Sequence, residues 1–222
     1  MLNDENVLGV VSHEGSEDYS SWLLPAAQQL LRKAGLSIPE IEVYAVASGP
    51  GSFTGLRIGL TTAKAWSEVY GKPISAVSRL EALASVAEGS NPLVAAFFDA
   101  QRGQVFGALY RREAKSLVRV EDEMVIAPSE FVKWTRERGQ GKGMDWISMD
   151  PEQVTSEPVW VDRAAAGEKI QRSSSLLAPI IGRIGLERAR EGRLVDALSL
   201  DADYVRRSDA EIFWKGAAGR GR

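Results

Sequence analysis

The most regular apolar spacing in the chain falls at Leu23, Ala26, Ala27, Leu30, Leu31 and Ala34, the i, i+3, i+4, i+7 repeat of one helix face. Ser20 or Ser21 is placed to cap this helix, Pro25 stands in its first turn, and Gly35 supplies the stop. A second stripe, Leu56, Gly59, Leu60, Ala63, Trp66 or Ser67 and Tyr70, predicts a helix that starts near Gly55 and ends at Gly71. Gly59, Thr62 and Ala63 thin that face, so another helix axis can approach closely. Ser78 with Glu81 reads as a capping box before Leu80, Leu83, Ala84 and Ala87. A short helix opens at Pro128 and runs through Phe131 and Trp134. The longest helix is expected from Ser174, with Leu177, Ile180, Ile181, Ile184 and Gly185 inward.

Strand-like runs lie between these helices. Val7–Val11, Val43–Ala47 and Ile74–Val77 are short and rich in β-branched residues. Leu93–Asp99 is continuously apolar, Gln101–Gln104 turns the chain, and Val105–Tyr110 returns, which predicts a hairpin. Weaker strands are expected at Asp145–Met149 and Asp201–Arg207, with a loop at Gly139–Gly143. The polar stretch 150–173 shows no period, and the glycine- and arginine-rich end, 216–222, reads as a disordered tail. Strands and helices alternating with one hairpin predict an α/β fold with a mixed sheet. The residues themselves suggest a division near 105–125.

Composition narrows the chemistry. The 222 residues carry 27 Lys+Arg and 30 Asp+Glu, a net charge of −3, and no segment has the basic excess of a nucleic-acid footprint. Arginines gather toward the end, but their spacing fits a solvated helix face. There is no cysteine and one histidine, His13, which removes disulfides, thiol nucleophiles, cysteine-built metal sites and any site that needs two histidines. No run approaches 18 apolar residues, and the acidic opening Met1–Asn6 is the reverse of a signal peptide, so a cytoplasmic protein without membrane contact is expected. No metal and no cofactor are expected.

One segment stands out chemically. Gly49-Pro-Gly-Ser-Phe-Thr-Gly-Leu-Arg57 joins a predicted strand to a predicted helix, where backbone N–H groups can receive an anion. Gly49, Gly51 and Gly55 are permissive, Ser52 and Thr54 offer hydroxyls, and Arg57 brings charge. The spacing matches neither a P-loop nor the G-x-G-x-x-G fingerprint. Two readings stay open, a candidate anion or nucleotide contact and a tight strand-to-helix crossover. Asp99 and Arg102 at the hairpin corner are the other charged candidates, with a structural role set against a catalytic one.

The run Ala47-Ser-Gly-Pro-Gly-Ser-Phe-Thr-Gly-Leu-Arg-Ile-Gly-Leu-Thr-Thr-Ala-Lys64 resembles the signature of the TsaB (YeaZ) family. Leu23-Leu-Pro25, Asp99-Ala-Gln-Arg-Gly-Gln-Val105, Tyr204-Val-Arg206 and Ala210-Glu211 extend the resemblance. It covers about residues 5–211 and is strongest over 40–110. The resemblance implies an actin-like ATPase superfamily fold with ribonuclease-H-like lobes, here 1–110 and 111–215. It implies a non-catalytic scaffold in threonylcarbamoyl transfer to N6 of adenosine 37 of tRNA. Its partners would be a catalytic TsaD-like homologue and a TsaE-like ATPase. A homodimer would form in isolation, and tRNA would be met only through the complex. The family's partner surface falls on the two amino-terminal helices, which here means Leu23, Ala27, Leu30, Leu56, Gly59, Leu60, Thr62, Ala63 and Trp66. An ATP-dependent sugar or carboxylate kinase of the same superfamily and a tRNA-binding module are the rival readings.

Two departures from the family pattern follow. Members usually begin with an apolar strand ending in Asp-Thr-Ser and a second strand, whereas this chain opens at Met1-Leu-Asn-Asp-Glu-Asn-Val. The first lobe is therefore expected to lack its first strands and the phosphate loop between them. Tyr19-Ser20-Ser21 also stands where His-Ser-Glu is common.

Overall fold

The computed structural model describes residues 1–200 and Val205, leaving out Glu5, Glu14, Ser16, Glu17 and Lys115. Helix α1 (Tyr19–Ala34) and a 3-10 turn at Ile38–Glu40 precede strand β1 (Tyr44–Gly49), helix α2 (Phe53–Tyr70), strand β2 (Ile74–Ser78) and helix α3 (Arg79–Ser85). The hairpin β3 (Leu93–Asp99) and β4 (Val105–Arg112) leads to the short strands β5 (Leu117–Arg119) and β6 (Met124–Ile126). Then come α4 (Pro128–Gly139), β7 (Met144–Ser148), the short helices α5 (Glu152–Thr155) and α6 (Val161–Ala165), β8 (Ile170–Arg172) and α7 (Ala178–Arg190).

Two sheets result. β1 and β2 form a parallel pair, Tyr44 opposite Ile74 and Ala47 opposite Val77, and the far edge of β2 closes on Val195 through two backbone bonds to Ile74 of 2.9 Å each. The large sheet has the order β5-β4-β3-β7-β8, with β6 also on β4. β3 and β4 are antiparallel, whereas β3, β7 and β8 are parallel. β4 itself runs through residue 110, so the large sheet takes strands from both sides of that position.

Alternation explains why Leu93–Asp99 is apolar at every position. Val94, Ala96 and Phe98 face one core, with α3 and the Leu177 and Ile181 side chains. Leu93, Ala95 and Phe97 face another, with Phe131, Trp146 and Trp160. A strand covered on both faces has no polar side to show. The small sheet is also sandwiched. Tyr44 and Ile74 join Leu56, Leu60 and Ala63 of α2, while Ala45 and Ala47 pack with Ile180 and Ile184 of α7. Gly185 makes the α7 contact possible, because a Cβ there would lie 2.6 Å from that of Ala45.

Two arginines fasten the layers. Arg112 donates to Asp145 (3.0 Å) and to the carbonyls of Ala87 and Asn91, tying the exit of α3 to the sheet. Arg188 donates to both oxygens of Glu81 (2.7 and 2.6 Å) and to the Ala76 carbonyl, tying α7 to α3 and β2.

Several expectations change. Val7–Val11 is not a strand: a single bridge joins Leu2 and Val7, and Leu8 and Gly9 donate to the Met1 carbonyl. No neighbouring strand extends the ladder among the described residues, so a local turn satisfies the backbone instead. α1 starts at Tyr19, after Asp18 rather than Ser20 or Ser21, which puts Pro25 inside the helix and not in its first turn. Ser78 caps α3 by accepting from Leu80 and Glu81 N–H (3.1 and 3.2 Å), but the Glu81 carboxylate is taken by Arg188 and does not close the box. α2, with 18 residues, is longer than the 13-residue α7. Stretch 150–173 resolves into elements of three to five residues. The strand expected at Asp201–Arg207 and the tail 216–222 lie outside the described residues, apart from Val205.

Gly35 and Gly71 end α1 and α2 in the left-handed region, with φ of 68° and 64°. Nothing lies within 4 Å of a Cβ built on Gly71. Gly71→Ala should therefore cost only backbone strain, about 1 kcal/mol, read as a lower denaturant midpoint at unchanged slope.

Candidate functional site

The glycine loop leaves β1 at Gly49 (φ 139°) and enters α2 at Ser52, whose hydroxyl accepts from Gly55 N–H at 3.4 Å. The Gly49–Pro50 peptide is cis. Ser52 and Thr54 are exposed, Gly51 and Gly55 half-buried. Arg57 is also exposed, with its guanidinium carbon 3.8 Å from the centre of the Phe53 ring. It thus lies along the first turn of α2, stacked on an aromatic face.

The loop faces an arginine that sequence reading missed. Arg79, first residue of α3, donates from Nη1 to the Pro50 carbonyl at 3.0 Å and lies over the Phe98 ring at 4.4 Å. Gly51 lacks a side chain just there: a Cβ would sit 2.6 Å from Nη1. Burial lowers the Arg79 pKa from the ordinary guanidinium value, while Asp150 and Tyr19 act in the opposite direction. No local pattern could reveal this residue, since its partners lie 19 to 71 positions away. Asp99 and Arg102 remain at the hairpin corner. Asp99 accepts from the backbone and side-chain amides of Gln101 (2.8 and 2.7 Å), and its own N–H donates to Asp150 at 2.9 Å. Arg102 is exposed in the turn, where Gln101, Arg102 and Gly103 all have positive φ. The corner carboxylate thus holds a strained turn. His13 lies against the Tyr19 and Trp22 rings, at 4.7 and 5.2 Å between centroids. No group of three or more acidic or histidine side chains able to hold a metal gathers among the described residues.

The helix pair divides more sharply than its periodicity suggested. Leu56, Leu60 and Ala63 are buried at 7%, 5% and 6% exposure in the core with Tyr44 and Ile74. They cover this chain's own sheet and offer no surface to a partner, which corrects their placement on the interface. Trp66 packs on the Tyr44 ring at 5.6 Å, and Gly59 faces Val46. Thr62 lies on the flank, half-buried. α1 differs: only Ala26 is buried along its 16 residues. Leu23, Ala27 and Leu30 are half-buried, and Leu24 is 53% exposed. Leu24, Ala27 and Leu31, at i, i+3 and i+7, form an apolar stripe outside the chain's own core clusters.

The chain is thus a mixed α/β fold of two sheets with helices packed on them, in which the glycine-rich loop carries β1 into α2. The profile of the TsaD family, tRNA N6-adenosine threonylcarbamoyltransferase, matches residues 3–173. The tRNA threonylcarbamoyladenosine biosynthesis protein TsaB of Bacillus subtilis is 28% identical over 219 residues, 96% of this chain and 91% of that one. TsaB of Escherichia coli is 28% identical over 208 residues, 91% and 86% of the two chains. A tRNA N6-adenosine threonylcarbamoyltransferase of Treponema denticola is 42% identical, but over 74 residues, 32% of this chain and 21% of the enzyme. Among solved structures, YeaZ from Pseudomonas aeruginosa superposes with a TM-score of 0.60 at 23% identity, covering 84% of each chain. The chain belongs to the TsaD family, and its end-to-end likeness is to proteins named TsaB. No helix among the described residues is long and apolar enough to cross a membrane.

Proposed function

We propose that this chain is the scaffold subunit of a tRNA threonylcarbamoyladenosine-forming complex, binding a catalytic TsaD-type homologue through the outer flank of α1 with the adjoining flank of α2. The observation that carries the reading is the Leu24, Ala27, Leu31 stripe on a long helix, with Leu24 exposed, Ala27 and Leu31 half-buried, and all three outside the chain's own core clusters. Kinship with TsaB over nearly the whole chain supports the choice of partner. A TsaE-type ATPase joins the assembled pair, tRNA is met through the complex, and two copies associate by the same stripe when the homologue is absent. The glycine loop serves as a crossover that sets the start of α2.

Reconstitution tests this. The chain mixed with the TsaD-type homologue of the same organism should form a one-to-one complex in light scattering. Threonylcarbamoyladenosine formation on tRNA should require both proteins together with the ATPase. Failure to associate, or full product formation without this chain, would overturn the reading. Rapid ATP turnover by the chain alone on a sugar or carboxylate panel would instead establish the kinase alternative. Tight, strongly salt-dependent tRNA binding without partners would establish the RNA-binding one.

A further inference from the structure

We propose that Arg79 is a positioning residue for the partner surface, holding the glycine loop, and through it the first turn of α2, against the large sheet. The inference rests on the α1/α2 reading of the interface and assigns a residue on neither helix. One guanidinium ties the glycine loop to β3. Its Nη1 holds the Pro50 carbonyl at 3.0 Å, two residues before the Ser52 cap of α2. Its plane rests on Phe98, a residue 3% exposed in β3. Asp150, just after β7, and Tyr19, the first residue of α1, both favour its charged form. Asp150 is itself fixed, since it accepts from Asp99 N–H and its own N–H donates to Ser148.

A lone surface arginine would have no reason to be shaped around in this way. Gly51 leaves the space that Nη1 occupies, and its backbone is not left-handed, so the absent side chain reflects room and not conformation. The loop is glycine-rich and short of side chains that could anchor it, and a hydrogen bond from a charged donor is among the stronger ones available. Releasing it frees Pro50 and Gly51 directly ahead of the helix whose flank forms part of the proposed interface.

The test uses full-length protein and the TsaD-type homologue. Arg79→Met keeps apolar packing on Phe98 but donates nothing, and it should weaken association about tenfold. Arg79→Lys retains one donor and a charge and should stay within about threefold of the unsubstituted chain. Gly51→Ala pushes Nη1 from its place and should match Arg79→Met, while adding it to Arg79→Met should cost nothing more. Amide hydrogen exchange should quicken at residues 51–56 and stay unchanged in β3 and β7. Equal losses from Lys and Met, additive losses in the double variant, or exchange rising uniformly would reduce Arg79 to a packing residue and overturn the proposal. An unsubstituted chain that does not bind the homologue defeats the interface reading itself. A bound complex indifferent to Arg79→Met defeats only the positioning role.

Discussion

Ala63→Arg should unfold the amino-terminal part of this protein rather than leave a folded chain unable to bind. Ala63 is 6% exposed and shares its cluster with Tyr44, Leu56, Leu60 and Ile74, so the side chain points into the space between α2 and the small sheet. A guanidinium there has neither room nor a partner, and overpacking and desolvation together cost about 4 kcal/mol or more. That is a large share of the 5–15 kcal/mol by which a domain is typically stable. Thermal unfolding followed by circular dichroism should show a midpoint lower by more than 10 °C, or no soluble protein. A variant that melts like the parent would place Ala63 outside the core and return it to the interface.

Ala63 also shows what the sequence could and could not disclose. A repeat of Leu56, Leu60 and Ala63 marks an apolar face, and the structure has that face. Periodicity does not say whether the face covers the chain's own sheet or another molecule. The small residues that suggested a close helix–helix approach instead lie over the small sheet, Gly59 above Val46 and Ala63 in the cluster with Tyr44 and Ile74. The β3–β4 hairpin was legible because a doubly covered strand is apolar throughout and the turn residues Gln101 to Gly103 break the run. Residues 150–173 were illegible for the opposite reason. Helices of four and five residues and a strand of three are too short for a period to register, and Trp160 is buried by tertiary contact with Trp146 at 5.0 Å. Val7–Val11 has a strand's composition without a strand's neighbours. Arg79 belongs to a further class, a residue whose role exists only once Pro50, Phe98 and Asp150 have been brought together.

The second large effect is expected at Leu24. At 53% exposure its side chain supports no core of this chain, so Leu24→Arg should leave the unfolding midpoint within about 0.5 kcal/mol of the parent. On the partner-bound surface the same change buries a charge in a contact that Ala27 and Leu31 make apolar. The desolvation of an unpaired guanidinium there, added to the lost leucine contact, amounts to roughly 3 kcal/mol, or about a hundredfold in dissociation constant. Ala63→Arg and Leu24→Arg therefore separate along two axes. The first loses fold and, with it, binding; the second loses binding while keeping the fold. Calorimetric titration of each variant against the TsaD-type homologue, alongside its circular dichroism spectrum, reads both axes at once. If Leu24→Arg binds at full strength, the outer stripe of α1 is not the contact, and the half-buried flank around Thr62 becomes the surface to probe next. The result would also bear on self-association, because the same stripe is assigned to the homodimer: Leu24→Arg should be monomeric at concentrations where the parent chain pairs.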